Sequence, residues 1–398
     1  LNKPTGQQWR NWKKNRSYQR ELQGLSRNPE SWEQEWINHG GSVTPTRSRF
    51  TNNEQNEQEE VRVLRMEIDA LRKQVLSEAS VREVIIGLAK PKVNVPGWLI
   101  GDSTGVKMNG VPTLLLSDLH WGEVVNPEEI GGVNEYNLEI AHNRLERCFD
   151  TTIKLLHGYF KDAHYPGIVI ALGGDMLSGD IHEELRESNA TQTMCALLDL
   201  RDCLVDGIRT MADKFGHVFL PCVAGNHGRL DKKPRAKGRA FTNWDWLLYS
   251  LLAKAFEKDQ RVVFLIPAGP DASYRVYGTR FCLTHGDQFR GGDGMIGHMG
   301  PLIRGDRKKR NRNSQINQGF DIMLHGHFHT YSPGSMIIGN GSLIGYNEYA
   351  NAGNFSYEDP KQALFMTHKD RGVIWHMAVN VGETDNAGPC DWVSVFKK

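Results

Sequence analysis

The chain has 398 residues, 48 Lys and Arg against 47 Asp and Glu, a net charge of +1 and 39% hydrophobic residues. That is too long for one small module and too apolar for a disordered tail. There is no apolar run of the ~18 residues a membrane helix needs, and six scattered cysteines without a Cys-x-x-Cys pair argue against a disulfide framework. Reduced thiols, several inside apolar runs, fit a reducing cytoplasm. The opening Leu1-Asn-Lys-Pro4 has neither an initiator Met nor a signal-peptide core, so we expect the numbering to begin inside a longer gene product.

In chain order, the first segment (1–55) is basic and aromatic, then a linker. Trp9, Arg10, Trp12, Lys13, Lys14, Arg16, Tyr18 and Arg20 interleave rings and cations, a pattern suited to stacking on bases and touching phosphates. The alternative, which we weight first, is a linker or short helix whose tryptophans pack on the enzyme domain or on a missing neighbour. Residues 40–60 are polar and Pro/Gly-punctuated and predict a flexible stretch. Residues 56–90 predict a helix. Val61, Leu64, Ile68, Leu71 and Val75 follow the 3,4 spacing of a coiled-coil seam, but over only two heptads. Self-association through 61–75 and packing on the chain's own domain explain it equally well.

From 91 to 398 we expect one α/β domain. The runs 111–117, 167–173, 218–224 and 321–324 are short, apolar and partly β-branched, as strands buried on both faces are. Helical spacing over 134–160 and 190–215 gives a βαβ order and parallel pairing in the first half. Beyond each strand stand metal-competent side chains: Asp118 and His120, Asp175, Asn226 and His227, His285, then His327 and His329. Ligands gather beyond the carboxyl ends of strands in open α/β sheets. Carboxylates, an amide and imidazoles without a thiolate suit two neighbouring divalent ions: manganese first, with magnesium, iron or zinc as alternatives.

In these five ordered motifs the chain resembles the calcineurin-like metallophosphoesterase superfamily over about residues 111–330, and its Mre11/SbcD nuclease branch in motif pattern. The resemblance implies a two-sheet sandwich flanked by helices. It also implies one ion at Asp118, His120, Asp175 and His329, and another at Asp175, Asn226, His285 and His327, with Asp175 bridging. His227 would then not be a ligand but the proton donor to the leaving group, a task suited to an imidazole titrating near 6.5, after attack by a metal-activated hydroxide. Two features depart from the pattern. Gly228 and Arg229 follow His227 where an acid is common, which weakens kinship with phosphoprotein phosphatases. His325 adds a third alternating histidine, which would share a face with His327 and His329 if the strand persists; we expect it to be packed or to support a ligand.

The neutral total hides two basic runs. Residues 229–240 and 304–312 each hold six cations and one acid. Both read as loops near the metal end, and we expect Arg229, Lys232, Lys233, Arg235, Lys237, Arg239, Arg307, Lys308, Lys309 and Arg310 to track a polyanion. Nucleic acid, DNA before RNA, is the expected partner; an ATPase partner does not carry over safely. A phosphomonoesterase or cyclic-nucleotide phosphodiesterase is the second reading, and a nucleic-acid-binding protein with a vestigial metal site the third. Glycines 292–300 predict a mobile loop beside the site and not a phosphate-binding P-loop.

Overall fold

The computed structural model describes residues 6–27, 31–38, 66, 110–160, 163–290 and 299–383. These fall into two compact units, one within 1–92 and one within 93–398. The linker 40–60, the 61–75 seam apart from Met66, most of the glycine loop (291–298) and Cys390 lie outside the described residues. Among the described residues, no helix is long and apolar enough to cross a membrane.

In the first unit, α1 (Gly6–Leu22) and α2 (Trp32–Asn38) are joined by their tryptophans. Trp9 and Trp12 stack with centroids 5.4 Å apart, and Trp36 meets them edge-on at 5.3 and 4.8 Å. Lys13 Nζ lies 4.8 Å from the centre of the Trp9 ring, and Arg16 pairs with Glu35 at 3.1 Å. Edge-to-face rings and a cation over indole are favourable geometries. The tryptophans therefore pack on one another within this unit, an arrangement that neither reading of the segment anticipated.

The second unit is a two-sheet α/β sandwich. Strands β1 (Val111–Leu116), β2 (Ile168–Leu172), β3 (Val218–Pro221) and β4 (Val262–Leu265) are parallel neighbours. The second sheet has the order β5-β6-β7-β9-β8, formed by Asp271–Val276, Thr279–Thr284, Ile322–His325, Ile337–Gly339 and Ser332–Pro333. Strands β10 (Lys361–His368) and β11 (Gly372–Asn380) complete the first sheet as an antiparallel pair beyond β1. The helices are α3 (Leu138–Ile153), α4 (Glu183–Ser188), α5 (Thr193–Phe215), α6 (Trp244–Ala255), α7 (Met299–Gln315) and α8 (Glu348–Ala352).

Period-two alternation divides the core. Leu115, Val169, Ala171, Phe219 and Phe365 of the first sheet meet Phe281, Leu283, Leu324 and Ile338 of the second. The intervening residues Leu114, Leu116, Ile170 and Leu220 face the other way, onto the buried stripe Leu200, Leu204, Ile208 and Met211 of α5. Each fully buried side chain of this kind contributes roughly 1.5–3 kcal/mol. Both faces of the central strands are covered, which is why they read as unbroken apolar runs.

The 304–312 segment is corrected: it is helix, within α7. Its inward stripe carries Leu302, Asp306, Lys309 and Asn313, so polar side chains sit where an apolar period would have revealed a helix. Lys309 is only 5% exposed and binds Asp271 and the Thr284 hydroxyl. Arg310 donates to Asp306 and to the carbonyls of Phe320, Asp321 and Met336. These two cations fasten α7 to the second sheet and are withdrawn from any polyanion track.

Candidate metal centre

Five strand ends deliver the candidate ligands. Asp118 and His120 follow β1, Asp175 follows β2, Asn226 and His227 follow β3, His285 follows β6, and His327 and His329 follow β7. The chain turns abruptly at each end. Asp118, His120, Asp175, His327 and His329 all have positive φ, between 48° and 70°, a region that costs a non-glycine residue about 1–3 kcal/mol and persists where the surroundings impose it. Strand β7 ends at His325, and the turns at His327 and His329 break the alternation. The expectation that three histidines share one face is therefore corrected. His325 instead packs its ring on Phe328, with centroids 5.7 Å apart.

Two glycines let the segments close in. A Cβ on Gly225 would lie 2.1 Å from Asp175 Oδ1, and one on Gly326 2.2 Å from Asp118 Oδ2. No side chain fits at either place.

The donor atoms of Asp118, His120 and His329 lie within 4.8 Å of one another, as do those of Asp175, His285 and His327, and those of His120, Asp175 and His227. Asp175 thus stands in two of the three groups. Three imidazoles are oriented through Nδ1. His120 Nδ1 donates to Glu123 at 2.9 Å, His285 Nδ1 to the Gly173 carbonyl at 2.9 Å, and His227 Nδ1 to the Ser178 carbonyl at 3.0 Å. Each then presents Nε2 to the centre, the usual arrangement around a metal.

What Nε2 meets is informative. His120 Nε2 faces His329 Nε2 at 3.2 Å, and His285 Nε2 lies 2.9 Å from Asp175 Oδ2 and 3.1 Å from Asn226 Oδ1. Lone pairs here converge on lone pairs, so the contacts require a shared cation or added protons. Without a metal, protons serve. Burial opposes charge on His120, but Glu123, Asp175 and Asp118 outweigh it and raise the imidazole to about 9. His285, also opposed by burial, is carried to about 10 chiefly by Asp175. A site that draws protons this strongly draws divalent cations, which displace them. The donor set therefore fits two hard or borderline ions.

His227 behaves differently. Burial, only partly offset by Asp175, takes it down to about 4, and His327 falls to about 4 by burial and the nearby His285. The His227 ring is half-buried and stands 4.4 Å, centroid to centroid, from that of His120, so it lies below the ordinary imidazole value of 6.5.

Sequence reasoning missed the supports. Asp245, at the start of α6, accepts from the backbone N–H of Asp175, Met176 and Gly225 at 3.0, 3.2 and 2.8 Å, locking two ligand loops together. Burial, reinforced by Asp175, raises its carboxyl to about 6. Ser117 donates to Asp118 and accepts from Asn340, and Gln362 accepts from the Ser117 N–H. The three-residue offset of Glu123 from His120 was a visible signal; Asp245, distant in sequence from Asp175, carried none.

The 229–240 run is a loop, and its cations are near the centre but largely engaged. Arg229 and Arg239 line a cleft with Asn226, Lys233 and Arg235. Arg239 pairs with Asp287 at 2.7 Å, Arg235 with Asp231 at 2.8 Å, and Lys232 with Glu183 at 2.7 Å. The last two pairs are exposed and weak. Arg307 and Lys308 are exposed on α7.

No family model matches the chain, and no curated protein matches it. The chain is similar to solved structures at low identity. Vacuolar protein sorting 29 from Cryptosporidium parvum is 13% identical over 64% of this chain and 84% of its own, with a TM-score of 0.26. A predicted phosphoesterase from Streptococcus pneumoniae TIGR4 is 12% identical over 68% and 99%, with a TM-score of 0.26. A dimetal phosphatase from Danio rerio is 12% identical over 68% and 99%, with a TM-score of 0.29.

Proposed function

We propose that the chain is a dinuclear metal-dependent phosphoesterase. The observation that carries this is the convergence of acceptor on acceptor at the strand ends: imidazole Nε2 atoms facing imidazole, carboxylate and amide oxygen within 3.2 Å. Asp118, His120 and His329 would hold one ion and Asn226, His285 and His327 the other, with Asp175 shared. The chemistry such a pair supplies when bound is Lewis-acid polarisation of a phosphoryl oxygen and acidification of water, with manganese the first candidate.

His227 is the residue we assign to the departing oxygen. Its Nδ1–H is committed to Ser178, which leaves Nε2 for the substrate. A bound phosphate ester brings negative charge beside the ring and raises its pKa, so Nε2 can carry the proton that the leaving group needs. Glu123 and Asp245 are buried and position the candidate ligands through hydrogen bonds to His120 and to the Asp175 backbone.

For the substrate class we favour a nucleic-acid phosphodiester, DNA before RNA. The support is the loop of Arg229, Lys232, Lys233, Arg235, Lys237 and Arg239 leaving directly from His227, assisted by exposed Arg307 and Lys308. A polymer's neighbouring phosphates would cross that loop, whereas a small monoester would not. The test is hydrolysis by the manganese-loaded chain of p-nitrophenyl phosphate, its bis-ester, and labelled DNA and RNA. Hydrolysis of esters and DNA is expected. Cleavage of the small esters alone would remove the nucleic-acid reading, and no hydrolysis at all would remove the enzyme.

A further inference from the structure

Away from the strand ends, one other set of metal-competent side chains comes together among the described residues. The donor atoms of His142, Asp199 and Cys203 lie within 4.8 Å of one another. His142 belongs to α3, and Asp199 and Cys203 stand one turn apart on α5, an i,i+4 pair on one helix face. His142 Nε2 is 3.0 Å from Asp199 Oδ2, and its Nδ1 is 3.3 Å from Cys203 Sγ.

The cluster is held in place. Trp121 Nε1 donates to Asp199 at 2.7 Å, and the His142 ring packs edge-on against Trp121 with centroids 5.0 Å apart. That indole is fully buried, so it anchors Asp199 to the core, while all three cluster residues keep partial access to solvent.

A cysteine–histidine–carboxylate array also suggests a nucleophile, but the surroundings oppose it. Burial, with Asp199, Asp202 and Asp206, pushes the Cys203 thiol up to about 11, far from a reactive thiolate. The same negative surroundings favour a cation, which binds the thiolate and releases its proton.

We propose that His142, Asp199 and Cys203 form a second cation site, for a zinc-class ion, separate from the strand-end centre. One imidazole, one carboxylate and one thiolate are donors that zinc accepts, and three protein ligands leave a fourth position to water. The thiolate selects against magnesium and manganese. This site stands whether or not the strand-end centre hydrolyses phosphate esters.

Cobalt(II) titration of the metal-free 398-residue chain tests it, because the strand-end donors include no sulfur. The wild type should develop a thiolate-to-cobalt charge-transfer absorption. Cys203→Ser should lose it. Asp175→Asn, which disturbs only the strand-end centre, should keep it. His142→Ala removes a partly exposed ligand and should weaken cobalt binding by at least about 10–100-fold, the cost found for residues that merely orient a ligand. Absence of the band in the wild type, its persistence in Cys203→Ser, or unchanged affinity in a folded His142→Ala would overturn the site.

Discussion

At the scale of single residues, the candidate site is a set of backbone turns forced into shape so that side chains can meet. Five of its members sit at positive φ, and Gly225 and Gly326 vacate the space that their carboxylate neighbours fill. The side chains that converge at the strand ends, and their order, were legible in the sequence because each follows a buried strand. The protonation of His227 was not legible, since it depends on burial that only the fold supplies. If His227 supplies the leaving-group proton, His227→Ala should retain both ions and lose about 10²–10⁴-fold in rate on poor leaving groups. The loss should shrink for p-nitrophenolate, which departs without a proton. Equal losses on both classes of ester would show that His227 only orients phosphate.

At the scale of elements, strands were easier to read than helices with polar inner faces. β1, β2, β3 and β7 were visible as apolar runs because both faces are buried. Helix α7 was hidden because Asp306, Lys309 and Asn313 occupy its buried stripe, leaving charge as the only signal. That burial gives a test. Lys309→Met would leave Asp271 with Arg312 as its remaining cationic partner, and we expect a loss of roughly 3 kcal/mol, the lower end for breaking a buried pair. Exposed Lys308→Ala should change stability by less than about 0.5 kcal/mol. Urea unfolding of the two variants measures both. Similar small effects would mean that Lys309 is a surface cation after all, free to meet a polyanion.

At the scale of the whole molecule, one charged centre joins two sheets, so stability and metal content are linked. In the metal-free chain His120 and His285 are raised from 6.5 to about 9 and about 10. Their stabilisation is complete below pH 6.5 and disappears as pH rises through those values. His227 and His327 are lowered from 6.5 to about 4, so their contribution is present above pH 6.5 and disappears as pH falls through 4. The metal-free melting temperature should therefore peak near pH 6.5, and manganese should abolish the alkaline decline by replacing the protons. An alkaline decline unchanged by manganese would separate these histidines from any ion. The parallel first half was legible from apolar runs in βαβ order, whereas the two-sheet sandwich was expected from the resemblance alone, and the packing of the tryptophans on one another within α1 and α2 was not foreseen. The most direct test of the dinuclear centre is manganese stoichiometry by equilibrium dialysis and elemental analysis, for wild type and Asp175→Asn. Two ions per wild-type chain, with both weakened in the variant because Asp175 is shared, is the predicted result. A wild type that binds no manganese, or a variant that binds two as tightly as wild type, would contradict it.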